Sequence, residues 1–122
     1  MRKIATALII FVALEHLGFL IVEMFFWQTP FVQKMFGVSP ELTAESAFMA
    51  ANQGLYNGFL SIGLLWGLIS QNKDVTLFLL LCVTVAGIFG AITVKPTVFV
   101  AQSIPAIMAL ITSLCAGKEP ED

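Results

Sequence analysis

Residues 4–27 read IATALIIFVALEHLGFLIVEMFFW. About 20 predominantly apolar residues in a helix cross a hydrocarbon layer about 30 Å thick. This run therefore predicts a membrane-crossing helix, with Glu15, His16 and Glu23 inside it. Three more runs have the length and apolar content to cross, at 47–69, 75–94 and 98–116. The connections at 70–74 and 95–97 leave room only for chain reversal, which makes successive helices antiparallel neighbours. The expected fold is all-α, a single membrane-embedded four-helix bundle covering 1–122 with short loops.

Composition points the same way. The 122 residues are 58% hydrophobic and 11% charged, whereas a soluble domain carries about 25% charged residues to face water. The expected surroundings are therefore a lipid bilayer. A net charge of −2 with no basic cluster argues against nucleic acid, which is bound through Lys and Arg on phosphates. Cys82 and Cys115 lie inside apolar runs and read as small buried hydrophobes, not as a disulfide. Met1-Arg2-Lys3 before an apolar run mimics a secretory signal, but Glu15-His16 arrives where a small-residue cleavage site belongs, so the first span is expected to stay uncleaved. Arg2, Lys3, Lys73 and Lys118 fall on one side and Lys34 and Lys95 on the other. The positive-inside rule then predicts a multi-pass protein of the cell membrane with both termini cytoplasmic. The small margin also admits insertion in both orientations, giving an antiparallel dimer.

Local signals refine the elements. Asp74 is the expected N-cap of the third span, Pro96 suits the start of the fourth, and Gly117 suits a left-handed cap at its end. Phe31, Val32, Met35 and Phe36 recur at helical spacing within 28–46 and predict a short helix in the membrane interface. Ser39-Pro40-Glu41 then marks a fresh helix start that extends the second span outward.

Inside the first span, Glu15, His16 and Glu23 share a stripe with Val12, Phe19, Phe26 and Trp27 at about 100° per residue. The fourteen Leu, Ile, Phe and Val residues of this span favour insertion by roughly 4–8 kcal/mol, and each ionised acid near the centre costs about 2.5–3.5 kcal/mol. Two ionised glutamates would nearly cancel the gain. They must be neutralised by protonation, paired, or turned into a polar interior. The second span offers partners in Asn52-Gln53-Gly54-Leu55-Tyr56-Asn57-Gly58: Asn52, Gln53 and Tyr56 cluster on one flank, with Asn57 further round. The expected pocket is therefore Glu15, His16, Glu23, Asn52, Gln53, Tyr56 and Asn57, with Trp27, Gln102 and Ser103 as a secondary lining.

Gly54 with Gly58 and Gly63 with Gly67 repeat GxxxG spacing on opposite sides of the second span. One pair is expected to seat a helix of the same chain and the other a second copy, as in a homodimer. Gly87 and Gly90, with Ala86 and Ala91, supply small packing positions in the third span, beside Thr84 and Thr93. Pro105, after Gln102-Ser103-Ile104, is expected to kink the fourth span and free a carbonyl. Trp27 and Trp66, near span ends, read as interfacial anchors. The lone histidine falls short of a zinc ligand set, neither a nucleophile elbow nor a Cys-His arrangement is legible, and no cofactor is expected.

Glu15-His16, Glu23-Met24-Phe25-Phe26-Trp27, the block Asn52-Gln53-Gly54-Leu55-Tyr56-Asn57-Gly58-Phe59-Leu60 and Gln102-Ser103-Ile104-Pro105-Ala106 together resemble the membrane protein family filed as domain of unknown function 1304. The likeness covers nearly the whole chain. It implies a compact four-helix integral membrane protein of bacteria and some fungi, brings no substrate or reaction, and makes these polar positions a family signature. Three functions remain open. One is a small proton-linked carrier or channel for a lipophilic or cationic ligand, with His16 relaying the proton. Another is a membrane-embedded isomerase, cyclase or binding protein for a lipophilic metabolite, its Glu, His and Asn walled by aromatic rings. The last is a structural or accessory subunit whose polar residues lock helices together. Transport stands ahead of enzymology.

Overall fold

The computed structural model describes residues 1–117. Helices α1 (Arg2–Phe25), α2 (Pro30–Phe36), α3 (Pro40–Ile69), α4 (Lys73–Thr93) and α5 (Ile104–Ala116) account for nearly all of them, with a π-helical turn at Phe99–Ser103 leading into α5. No strand occurs among the described residues. Three helices are long and apolar enough to cross a membrane: Arg2–Phe25, Lys73–Thr93 and the continuous stretch Phe99–Ala116. This differs from the expected four. At 30 residues α3 is long enough, but Asn52, Gln53 and Asn57 interrupt its apolar run.

The chain forms two compact units. One is Leu14–Ser61 and the other combines Met1–Ala13 with Ile62–Asp122. In Leu14–Ser61 the second half of α1 packs antiparallel to the first two-thirds of α3. The buried stripe of α3 is Ala50, Gly54, Asn57, Gly58 and Ser61, all small or polar. An ideal Cβ on Gly54 would lie 2.9 Å from Met24 Cγ and 3.2 Å from the Leu20 carbonyl oxygen, and one on Gly58 would collide with Leu20 Cδ1. At Gly54, where the backbone itself is met, glycine is what permits that approach. The short helix α2 forms where expected: Thr29 caps it by accepting from the Val32 N–H, Pro30 opens it, and Gly37 closes it at φ 66°. Its Val32 is fully buried while Phe31, Met35 and Phe36 are exposed. The Ser39 hydroxyl accepts from the Leu42 N–H at 3.1 Å, so α3 begins at Pro40 and runs outward of the span predicted at 47–69.

In the second unit the end of α3, α4 and α5 pack as antiparallel neighbours. Gly63 faces Leu79, Gly67 faces Thr76, Gly87 faces Ser103 and Gln102, and Gly90 faces Val98. On α5 the buried face is Ala106, Ala109, Ser113 and Ala116, while Ile104, Met108, Ile111 and Leu114 are exposed. Small residues inside and large apolar residues outside is the arrangement that suits a hydrocarbon solvent, where packing and not hydrophobic burial joins helices.

Several expected caps fall elsewhere. Asn72, not Asp74, caps α4, its Oδ1 accepting from the Val75 N–H at 3.2 Å, and Asp74 lies in the first turn. The register is set by the preceding turn, where Asn72 N–H reaches the Gly67 carbonyl and Gln71 N–H the Leu68 carbonyl, with Gln71 at φ 54°. That is a Schellman closure with glutamine in the left-handed position. Gly117 is right-handed at φ −72°, so the left-handed cap expected there is absent. Pro96 stands where expected, directly before the helical residues Thr97 and Val98 that lead into the π turn, its carbonyl accepting from the Phe99 N–H at 3.1 Å. The π turn follows from Pro105, whose ring excludes the carbonyl four residues back; the Ile104 N–H reaches five residues back to Phe99 instead. Lys118, counted toward the cytoplasmic side, lies outside the described residues.

Candidate functional site

The polar residues of α1 that belong to Leu14–Ser61 occupy two depths. Glu15 and His16 stand near the middle of the helix, and Glu23 stands in its last turn, about 12 Å further along the axis. His16 is 1% exposed, with its ring edge-on to Phe19 at 5.2 Å. Glu15 Oε2 is buried with no hydrogen-bond partner among the described residues. Glu23 is held: its Oε1 accepts from Asn57 Nδ2 at 3.0 Å, across 34 residues of sequence.

The glycine pair explains this contact. Asn57 lies between Gly54 and Gly58 on the buried stripe of α3, and an ideal Cβ on Gly54 would lie 3.1 Å from Glu23 Cβ. The close backbone approach brings a short amide within reach of the carboxyl. Asn52, Gln53 and Tyr56 lie off that stripe and are exposed. Tyr56 packs its ring edge-on against Phe59 at 5.7 Å. The structure thus joins Glu23 to Asn57 and leaves the other three members of the amide-rich flank facing away.

The secondary lining separates. Trp27 lies just beyond α1, its Nε1 donating to Ser46 Oγ at 3.0 Å and its ring tilted against Phe36 at 5.6 Å. Ser103 lies in the other unit, fully buried, its hydroxyl donating to the Thr84 carbonyl at 2.9 Å, with Gln102 beside Gly87. Both GxxxG-spaced pairs of α3 are used within the chain, Gly54 and Gly58 against α1 and Gly63 and Gly67 against α4. The expectation that one pair seats a second copy does not match this placement. Sequence reasoning missed Ser46 and Thr43, which fix the segment around α2: Thr43 is buried, and its Oγ1 accepts from Gln33 Nε2 at 3.0 Å. Their signal was the helix start at Ser39-Pro40, which carries both onto α3.

Chemically, the cluster offers a buried carboxyl oxygen without a donor, an imidazole beside it in sequence, and a second carboxyl that one amide holds at the helix end. Such groups can hold and pass protons or meet a cation. The chain is 26% identical over 117 residues to the "Uncharacterized protein YpaA" of Lactococcus lactis subsp. lactis (strain IL1403), covering 93% of this chain and 98% of that relative. No solved structure matches. Residues 10–114, which include the whole Glu15, His16, Glu23 and Asn57 cluster, match the family described as "Protein of unknown function (DUF1304)", and the chain belongs to that family.

Proposed function

We propose that this is a four-span membrane protein that moves protons in exchange for a small lipophilic or cationic solute, with Glu15 as the group that alternates between proton and solute. The observation that carries this reading is the buried Glu15 Oε2 without a hydrogen-bond partner, beside the buried His16. A carboxyl that only locked helices would have found its donor, as Glu23 has in Asn57. Glu23, one turn from the end of α1, is the outer proton-accepting group, and His16 relays between the two depths. Counting α3 as the fourth span is supported by the second unit, where the ends of α3 and α5 and the starts of α1 and α4 border one cavity. Four crossings return both termini to one side, and Arg2, Lys3 and Lys73 make that side cytoplasmic.

Of the Phe and Trp wall that the enzyme reading needs, Phe19 packs edge-on against His16, whereas Trp27 is engaged by Ser46 and Phe36. One observation favours a helix-locking role, the Glu23–Asn57 bond itself. Purified protein in vesicles loaded with a pH-sensitive dye tests both. The expected result is proton flux driven by a gradient of a lipophilic cation, lost in Glu15→Gln and slowed in Glu23→Gln. If wild-type protein moves neither protons nor cationic dyes, or Glu15→Gln is as active as wild type, the transport reading fails.

A further inference from the structure

Within the second unit, an open cavity of about 510 Å³ lies where four helix ends converge. Its polar wall is Arg2 and Thr6 of α1, Gln71 of the turn after α3, Lys73 and Thr76 of α4, and Ser113 of α5. Alanine and glycine at Ala5, Gly67, Ala116 and Gly117 keep it from being filled. Two cations and no acid line it among the described residues. The volume falls in the range of ligand-sized pockets, roughly 300–1,000 Å³.

The side chains are arranged for an anion. Arg2 supplies a planar fork of donors and Lys73 a point charge. Lys73 Nζ rests against Gly117, so that any Cβ there would collide with it. Ser113 gives an independent pointer. It is 9% exposed, it borders the cavity, and its hydroxyl has no hydrogen-bond partner among the described residues. A serine in a membrane helix ordinarily donates to the carbonyl four residues back. The neighbouring Thr112 hydroxyl does bond back, to the Met108 and Ala109 carbonyls at 2.8 and 3.1 Å, whereas the Ser113 hydroxyl reaches no such acceptor among the described residues. Gln71 adds a polar amide from a left-handed position that glycine would occupy without strain.

We propose that this cavity binds the phosphate of an anionic lipid headgroup. A basic recess among helix ends, at the membrane surface that the cationic residues place on the cytoplasmic side, is the setting in which such headgroups are held. Arg2 and Lys73 neutralise the phosphate, and the Ser113 hydroxyl donates to it. Free phosphate shares this chemistry, so the test separates the two sources.

The full chain, purified in a zwitterionic detergent, is titrated with short-chain phosphatidylglycerol, phosphatidylcholine or inorganic phosphate. Thermal unfolding and native mass spectrometry are read on the same samples. Phosphatidylglycerol is expected to raise Tm and to stay bound in the gas phase, and phosphatidylcholine to do neither. Arg2→Gln and Lys73→Gln should each weaken the phosphatidylglycerol effect about tenfold, as the loss of one charge-assisted contact implies. Ser113→Ala keeps every charge and removes only a partnerless buried hydroxyl, so it should fold at least as well as wild type and still lose part of the lipid-induced shift. A shift from millimolar inorganic phosphate alone would assign the same cations to a soluble anion and overturn the lipid assignment. Equal retention of both lipids, or undiminished binding in both the Lys73 and Ser113 variants, would overturn the site itself.

Discussion

Replacing Asn57 with alanine removes the amide that donates to Glu23 Oε1 at 3.0 Å. Asn57 is 6% exposed, so water does not readily take its place at the carboxyl. Two effects combine. The bond between helices contributes about 0.6 kcal/mol on average and up to about 1.7 in comparable membrane proteins. An acceptor left buried without a partner costs about 1–3 kcal/mol. Asn57→Ala should therefore lower stability by about 1–3 kcal/mol. Glu23→Gln keeps a carbonyl oxygen in the place of Oε1 and should cost less. Glu23→Ala removes the acceptor altogether, and adding Asn57→Ala to it should then cost little more. The measurement is a double-mutant cycle on unfolding from mixed micelles, and the expected coupling between positions 23 and 57 is about 0.5–2 kcal/mol. A coupling indistinguishable from zero, with all variants folded, refutes the contact and the reasoning that the glycine stripe sets the partner of Glu23.

Other predictions follow from the same contacts. Gly54→Ala meets the Leu20 backbone oxygen at 3.2 Å, whereas Gly58→Ala meets only the movable end of the Leu20 side chain. The first should destabilise by more than the second in the same unfolding assay, by about 1 kcal/mol or more. Gln71→Gly relieves a left-handed residue and should raise stability by about 1 kcal/mol, while diminishing the lipid-induced shift because the amide leaves the cavity wall. Glu15→Leu exchanges a partnerless buried oxygen for an apolar side chain, and should raise resistance to unfolding while abolishing proton flux in vesicles.

The apolar runs made most of the helices legible, because a stretch that long without a break has no other stable state in lipid. Their ends were less so. Asn72 and Asp74 are both good caps, and the choice rests on the Schellman turn through Gln71, a residue whose left-handed conformation nothing in its chemistry announces. The site divides the same way. Counting polar groups by helical angle favoured Asn52, Gln53 and Tyr56 as partners for the carboxyls. What turns α3 is instead the smallness of one face: Ala50, Gly54, Gly58 and Ser61 form the buried stripe, and Asn57 is the one amide on it. Trp27 was read as an interfacial anchor, and its N–H finds Ser46 because α3 starts at Pro40 and carries Ser46 in its early turns.

The two glutamates of α1 received different answers from one helix, and the difference separates architecture from chemistry. Glu23 lies in the last turn of α1, where depth alone makes a carboxyl less costly than at mid-helix, yet it is the one given a dedicated donor on a glycine-guided face. Glu15 lies near mid-helix, where an ionised acid costs about 2.5–3.5 kcal/mol, yet its Oε2 has no donor among the described residues. If stability alone governed these positions, the assignments would be reversed or Glu15 would be leucine. A helix interface built on Gly54 and Gly58 against Leu20 and Glu23 has the means to place an amide against a carboxyl, since it does so at Glu23. On the transport reading proposed above, the unpaired oxygen at Glu15 is where a proton or a cation is received, and loss of flux in a folded Glu15→Gln variant is the result that reading requires.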